Sequence, residues 1–138
     1  MMTEGRAMKQ ARGTFDVVIT PVQPAEGAAP DAPGRMLLAK TFHGDLTGTG
    51  AGEMLATMSP ERSGAYVALD RVYGVIEGRE GAFTLVHRGL MDRGAQELLI
   101  TIVPGSGAGE LTGIAGVFHL TIVDGVHNYD LEYSLPTP

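Results

Sequence analysis

Five glycines stand close together, at positions 105, 107, 109, 113 and 116, between two apolar runs at 98–103 and 117–123. Short apolar runs bounded by turn residues read as strands. The connection between them is too long for an ordinary hairpin loop. Glycine is the residue that admits φ > 0 and close backbone approach. The segment therefore reads as a tightly curled crossover at the rim of a barrel or sandwich. It does not read as a phosphate loop. No Lys-Ser or Lys-Thr pair completes GxxxxGK[ST], and the dinucleotide pattern G-x-G-x-x-G fails at Glu110. Ser106 lies between glycines, but Pro104 occupies the position where G-x-S-x-G requires glycine. It reads as a serine satisfying backbone groups in a turn.

The rest of the chain repeats the strand period. Segments 13–20, 35–46, 47–57, 65–77, 82–88, 97–103, 117–123 and 126–135 are expected as strands, with Pro21 closing the first. In the second, Met36, Leu38, Lys40 and Phe42 share a face. In the third, Gly48, Gly50 and Gly52 share one face, and Thr49, Ala51, Glu53 and Leu55 share the other. A Pro-, Ala- and Gly-rich loop covers 24–34, and Asp124-Gly125 is a hairpin signal. No long stretch carries a helical period. At 138 residues the chain is expected as one domain, with a loose tail over 1–12 and a barrel over 13–138. The fold class is all-β. Eight antiparallel strands suggest a single closed up-and-down barrel, because closure removes exposed edges. Such a barrel is filled by side chains or holds one small ligand.

Composition removes several function classes. The net charge is −6 and the ten basic residues form no run, so no nucleic-acid partner is expected. No apolar stretch is long enough to span a bilayer, and residues 1–12 lack the apolar core of a secretory signal. With no cysteine there are neither disulfides nor thiolate metal sites. The expected location is cytoplasmic, without a membrane partner.

Several stretches carry a resemblance. Residues Gly44-Asp45-Leu46, Gly64-Ala65-Tyr66-Val67-Ala68, Phe83-Thr84-Leu85-Val86-His87, Pro104-Gly105-Ser106-Gly107, Gly109-Glu110-Leu111 and His127-Asn128-Tyr129 resemble a bacterial family of uncharacterised β-barrel proteins over about residues 13–135. The second half, with Gly113-Ile114-Ala115-Gly116-Val117-Phe118 and Tyr129-Asp130-Leu131-Glu132-Tyr133, is similar to allene oxide cyclase barrels. Dirigent proteins carry a similar glycine-rich turn. The resemblance implies an allene oxide cyclase-like barrel. It implies activity far less, since fold does not carry function with it.

The informative chemistry is polar residues on otherwise apolar strand faces. His87 shares a face with Phe83 and Leu85, Asp70 with Tyr66 and Val72, and Glu53 with Ala51 and Leu55. An inward carboxylate would be desolvated, and beside a histidine it would form an acid–base pair. The plainer reading is that these residues are outer-surface groups or rim hydrogen-bond partners. Glu53 or Asp70 is the candidate base and His87 the candidate acid. Tyr66 and Tyr133 are the candidate ligand-binding phenols. His43, His87, His119 and His127 lie on separate strands without metal-ligand spacing, so no metal and no cofactor is expected. Met36, Met54, Met58 and Met91 are core filling or the lining of an adaptable pocket.

The function these readings support is a small-molecule site inside the barrel for an apolar ligand. Its catalysis, if present, is cofactor-free isomerisation or cyclisation. The competing reading is a non-catalytic barrel acting through oligomerisation or protein contacts. Runs such as Leu98-Leu99-Ile100 and Val117-Phe118 are apolar on both strand faces, so a homo-oligomer, most simply a dimer, is expected.

Overall fold

The computed structural model describes residues 7–136. It consists of strands and turns: β1 (Lys9–Val22), β2 (Gly34–Gly44), β3 (Leu46–Met58), β4 (Gly64–Ile76), β5 (Arg79–Asp92), β6 (Ala95–Ile102), the two-residue β7 (Ala108–Gly109), β8 (Ala115–Val123) and β9 (Val126–Ser134). The order β4-β3-β2-β1-β9-β8-β6-β5, with β4 also pairing β5, closes an eight-stranded barrel, and every pairing is antiparallel. β7 adds to β5 at Gly81 and Ala82. The expected all-β barrel is the observed fold.

β1 starts before the expected position 13. Ala11 is buried and pairs with Leu131, so 9–12 belong to the barrel rather than to a tail. Residues 1–6 lie outside the described residues. β1 also runs through Pro21, which pairs with Met36. β9 pairs β1 only over Lys9–Phe15, so beyond Phe15 one edge of β1 is open and a proline there interrupts no ladder on that side. Three hairpins use two-residue turns with φ > 0 at both positions: Glu77-Gly78, Arg93-Gly94 and Asp124-Gly125. Those are the turns whose twist matches paired strands.

The interior has two halves. One end is closed by the β2–β3 corner and by residues 103–114, which lay Leu111 and Ile114 into the core. Gly105, Gly109 and Gly113 of this crossover have positive φ. Ser106 Oγ accepts from Thr84 N and donates to Val103 O, while Arg71 Nη1 donates to Ser106 O. The crossover is thus tied to the barrel wall through Ser106. Below mid-height, Phe15, Phe42, Phe118 and Tyr129 pack with ring centroids 5.5–6.3 Å apart. Each such pair contributes ~1 kcal/mol beyond its burial. Tyr129 closes this half with its phenol, accepting from Leu46 N at 3.0 Å and donating to His43 O at 2.8 Å.

The other end is open. There β6 and β8 meet at a single pair, Thr101 with Val117, and no ladder joins them nearer the mouth. The barrel wall therefore parts along that seam.

Candidate functional site at the open end of the barrel

The seam and the mouth form one cleft of about 400 Å³. Met54 and Met58 of β3, Met91 of β5, Leu98 of β6, and Leu120 and Ile122 of β8 supply apolar walls, and Tyr66 of β4 completes them. Three of the four methionines noted in the sequence thus line it. Unbranched thioethers make such a wall adaptable in shape.

Register explains how Tyr66 sits. It pairs with Gly89 on β5, and a Cβ added at Gly89 would fall 2.3 Å from the Tyr66 ring. Glycine at 89 lets the ring lie flat across the neighbouring strand. The next pair inward is Ala68 with His87, and the next Asp70 with Leu85. Alternation then points Tyr66, His87 and Asp70 into one interior. The Tyr66 and His87 rings stand 6.2 Å apart.

Beneath Tyr66 lies a buried polar cluster. Asp70 Oδ2 accepts from Lys40 Nζ at 2.6 Å and bonds His87 Nε2 at 2.7 Å. The three side chains are 0–6% exposed. Lys40 also sits 5.3 Å from the Phe15 ring centre, a cation–π contact. Asp70 Oδ1 is buried without a hydrogen-bond partner and lies over Gly52, whose missing side chain leaves it room. Burial alone would push the Asp70 carboxyl upward. The hydrogen bond from His87, then the charge and hydrogen bond of Lys40, outweigh burial and hold it below the ordinary value. An ionised carboxylate only accepts, so Nε2 of His87 carries its proton toward Asp70. In the neutral ring the acceptor is then Nδ1. Burial, and next the Asp70 charge, raise the Tyr66 phenol, which stays protonated and able to donate.

The structure brings three of the five expected site residues together and separates two. Glu53 points outward, ion-paired to Arg35 at 2.7 Å. The inward face of β3 is its glycine face, filled from neighbouring strands by Phe42 and Asp70. That geometry corrects the inward reading of Glu53. Tyr133 does point inward, but at the closed end, where its phenol donates to Glu77. Burial and the Glu77 carboxylate raise it. Asp70, the other candidate base, lies inside the barrel, bonded to both Lys40 and His87. Lys40 was not singled out, although it shares its strand face with Met36, Leu38 and Phe42. Among the described residues no three His, Asp or Glu side chains converge as metal ligands. His43 pairs with Asp16 and His119 with Glu132 on the outside, while His127 packs on Phe15.

Fold and site define a small closed β-barrel with an apolar open end over a buried Lys–Asp–His cluster. The family model for a protein of unknown function, DUF3224, matches residues 11–133, and the chain belongs to that family. A crystal structure of a protein with unknown function from the same family, from Shewanella oneidensis MR-1, is similar at 39% identity. The match covers 96% of this chain and 100% of that one, with a TM-score of 0.87. No curated protein matches the chain.

Proposed function

We propose that the open end binds a small, largely apolar, uncharged molecule, and that His87 moves a proton at the molecule's polar end. The observation that carries this reading is the apolar cleft whose wall includes Tyr66, packed against the buried His87–Asp70–Lys40 cluster. Its volume is in the range of small-molecule sites, which pair apolar walls with a few placed polar groups. Lys40 and Asp70 cancel one another's charge, and a further buried charge would lack a partner, so the ligand's head is neutral. A carbonyl or hydroxyl fits. Tyr66 donates to its oxygen, His87 Nδ1 takes or returns a proton, and Asp70 fixes the ring. This is the equipment of a cofactor-free isomerisation or cyclisation. Glu53 and Tyr133 have no part in it.

The filled lower half of the barrel favours a second reading, a non-catalytic scaffold whose mouth is only a gap in packing. Native mass spectrometry of protein taken directly from cells separates the two. An added neutral mass on the wild type, absent from Ala56→Trp, which fills the cleft, supports the site. Wild-type and variant spectra both free of added mass favour the scaffold.

A further inference from the structure

Both donors to the buried carboxylate reach the same oxygen. Lys40 Nζ lies 2.6 Å and His87 Nε2 lies 2.7 Å from Asp70 Oδ2, while Oδ1 has no hydrogen-bond partner among the described residues. The two nitrogens therefore stand within roughly 5 Å of each other, a separation at which charges out of water interact strongly. Lys40 already offsets the Asp70 charge. A proton added to the His87 ring would be a second buried positive charge with no further carboxylate to meet it. Few other ionisable groups face the ring. Tyr66 does so from β4, and on β9 His127 packs against Phe15, over which Lys40 lies. The row through His87 is otherwise Met54 of β3, Ala68 of β4 and Ile100 of β6, and β8 contributes Leu120. Glu97 stands exposed at the mouth.

We propose that Lys40 is a positioning residue that keeps His87 Nδ1 free of hydrogen, so that the site takes a carbonyl compound with a C–H beside the C=O. The proposal rests on the reading of the cleft as a ligand site and names its substrate class. Lys40 acts through Asp70 and lines no part of the cleft itself. Without it, Asp70 is a buried carboxylate with one donor, and the Asp70–His87 pair takes up a proton. On the ring, that proton makes both nitrogens donors. On Asp70 Oδ2, it is donated to Nε2, and the ring's own hydrogen moves to Nδ1. Either way Nδ1 changes from acceptor to donor. With Lys40 in place, Nδ1 accepts while the Tyr66 phenol donates. A ligand head meets both when its carbonyl oxygen faces Tyr66 and its adjacent C–H faces Nδ1. In the transfer the C–H bond breaks and the hydrogen bonds to Nδ1. The electron pair passes into the C=O, which leaves an enolate oxygen against Tyr66. The cluster gains one positive charge as the ligand gains one negative charge. Return of the proton to a different carbon completes an isomerisation with nothing consumed.

The test uses the full chain without ligand, so its failure is separate from a failure of the cleft to bind. Nitrogen NMR follows the imidazole through pH, His87→Gln assigns the signal, and circular dichroism confirms folding. In the wild type at about pH 8, Nε2 is expected to carry hydrogen and Nδ1 to be bare. In Lys40→Met, the pH at which Nδ1 loses its hydrogen should rise by more than about one unit, a tenfold gain in proton affinity. Lys40→Met combined with Asp70→Asn removes both charges and strands neither, so it decides the matter if the single variant does not fold. Its midpoint should stay within about one unit of the wild type, because the two charges offset each other. Hydrogen on Nδ1 of the wild type at about pH 8 overturns the proposal. So does a folded Lys40→Met whose midpoint rises by less than about one unit, or a double variant whose midpoint moves by more than that.

Discussion

Lys40 Nζ and Asp70 Oδ2 stand 2.6 Å apart inside the barrel, with 5% and 0% of their side chains exposed. A buried pair of this kind contributes little net stability against an apolar replacement of the same shape. Removal of one partner strands a charge and costs about 3–5 kcal/mol. Lys40→Met alone is therefore expected to lower stability by that order in urea unfolding. Lys40→Met combined with Asp70→Leu is expected to be more stable than Lys40→Met alone. A double variant that loses the sum of both single effects would show that the pair is not a unit.

The same carboxylate predicts a pH dependence. Its folded value lies below an unfolded value of about 3.9. Ionisation of Asp70 thus contributes stability that is fully present above the unfolded value and is lost as pH falls through the folded one. Glu53 and Glu77 are also held low, by Arg35 and by Tyr133, so the wild-type curve alone does not isolate Asp70. The difference between wild type and Asp70→Asn does. That difference should shrink as the pH falls below about 4. A difference independent of pH in that window would refute the assignment.

Much of this site was legible in the sequence, and the failures have physical causes. Alternation alone placed Tyr66, Asp70 and His87 on apolar faces, and the barrel puts all three inside. The same rule applied to Lys40, flanked at two-residue spacing by Leu38 and Phe42, points to the missing partner. Alternation separates the faces of a strand without saying which is inner. On β3 the bulky face looked inward-facing, but the glycine face is inside because Phe42 and Asp70 occupy its space. Nor does alternation give height along the barrel. Tyr133 and Tyr66 both face in, yet register places them at opposite ends. The sequence places turns at 78–81 and 91–96, and the structure centres them at Glu77-Gly78 and Arg93-Gly94, positions that glutamate and arginine conceal because they are uncommon at φ > 0, whereas Asp124-Gly125 is an open hairpin signal.

Gly89 links the fold to the cleft. Any side chain there meets the Tyr66 ring, the closest contact being with Cε1 at 2.3 Å. Gly89→Val is expected to destabilise by more than ~1 kcal/mol and to push the ring toward the cleft. Thermal unfolding measures the first effect. The second should appear as weaker binding of an apolar fluorescent probe. Wild-type behaviour in both would mean that the ring has room elsewhere.

Tyr66→Phe removes only the phenol oxygen, and His87→Gln removes the imidazole proposed to exchange a proton. If both act on the ligand's polar end, each should weaken a carbonyl-bearing apolar ligand by about 1–2 kcal/mol and leave a pure hydrocarbon probe unaffected. Calorimetric titration of matched ligands reads that contrast. Equal losses for both ligands would indicate damage to the cleft rather than loss of a polar contact.

The open end of the barrel is proposed as a binding site for an apolar molecule. Its most direct measurement is titration of an apolar fluorescent probe into the wild type and into Ala56→Trp, with unfolding curves confirming that both are folded. Saturable binding of one probe per chain is expected for the wild type and none for the variant. No saturable binding by the wild type, or equal binding by a folded Ala56→Trp, would contradict it.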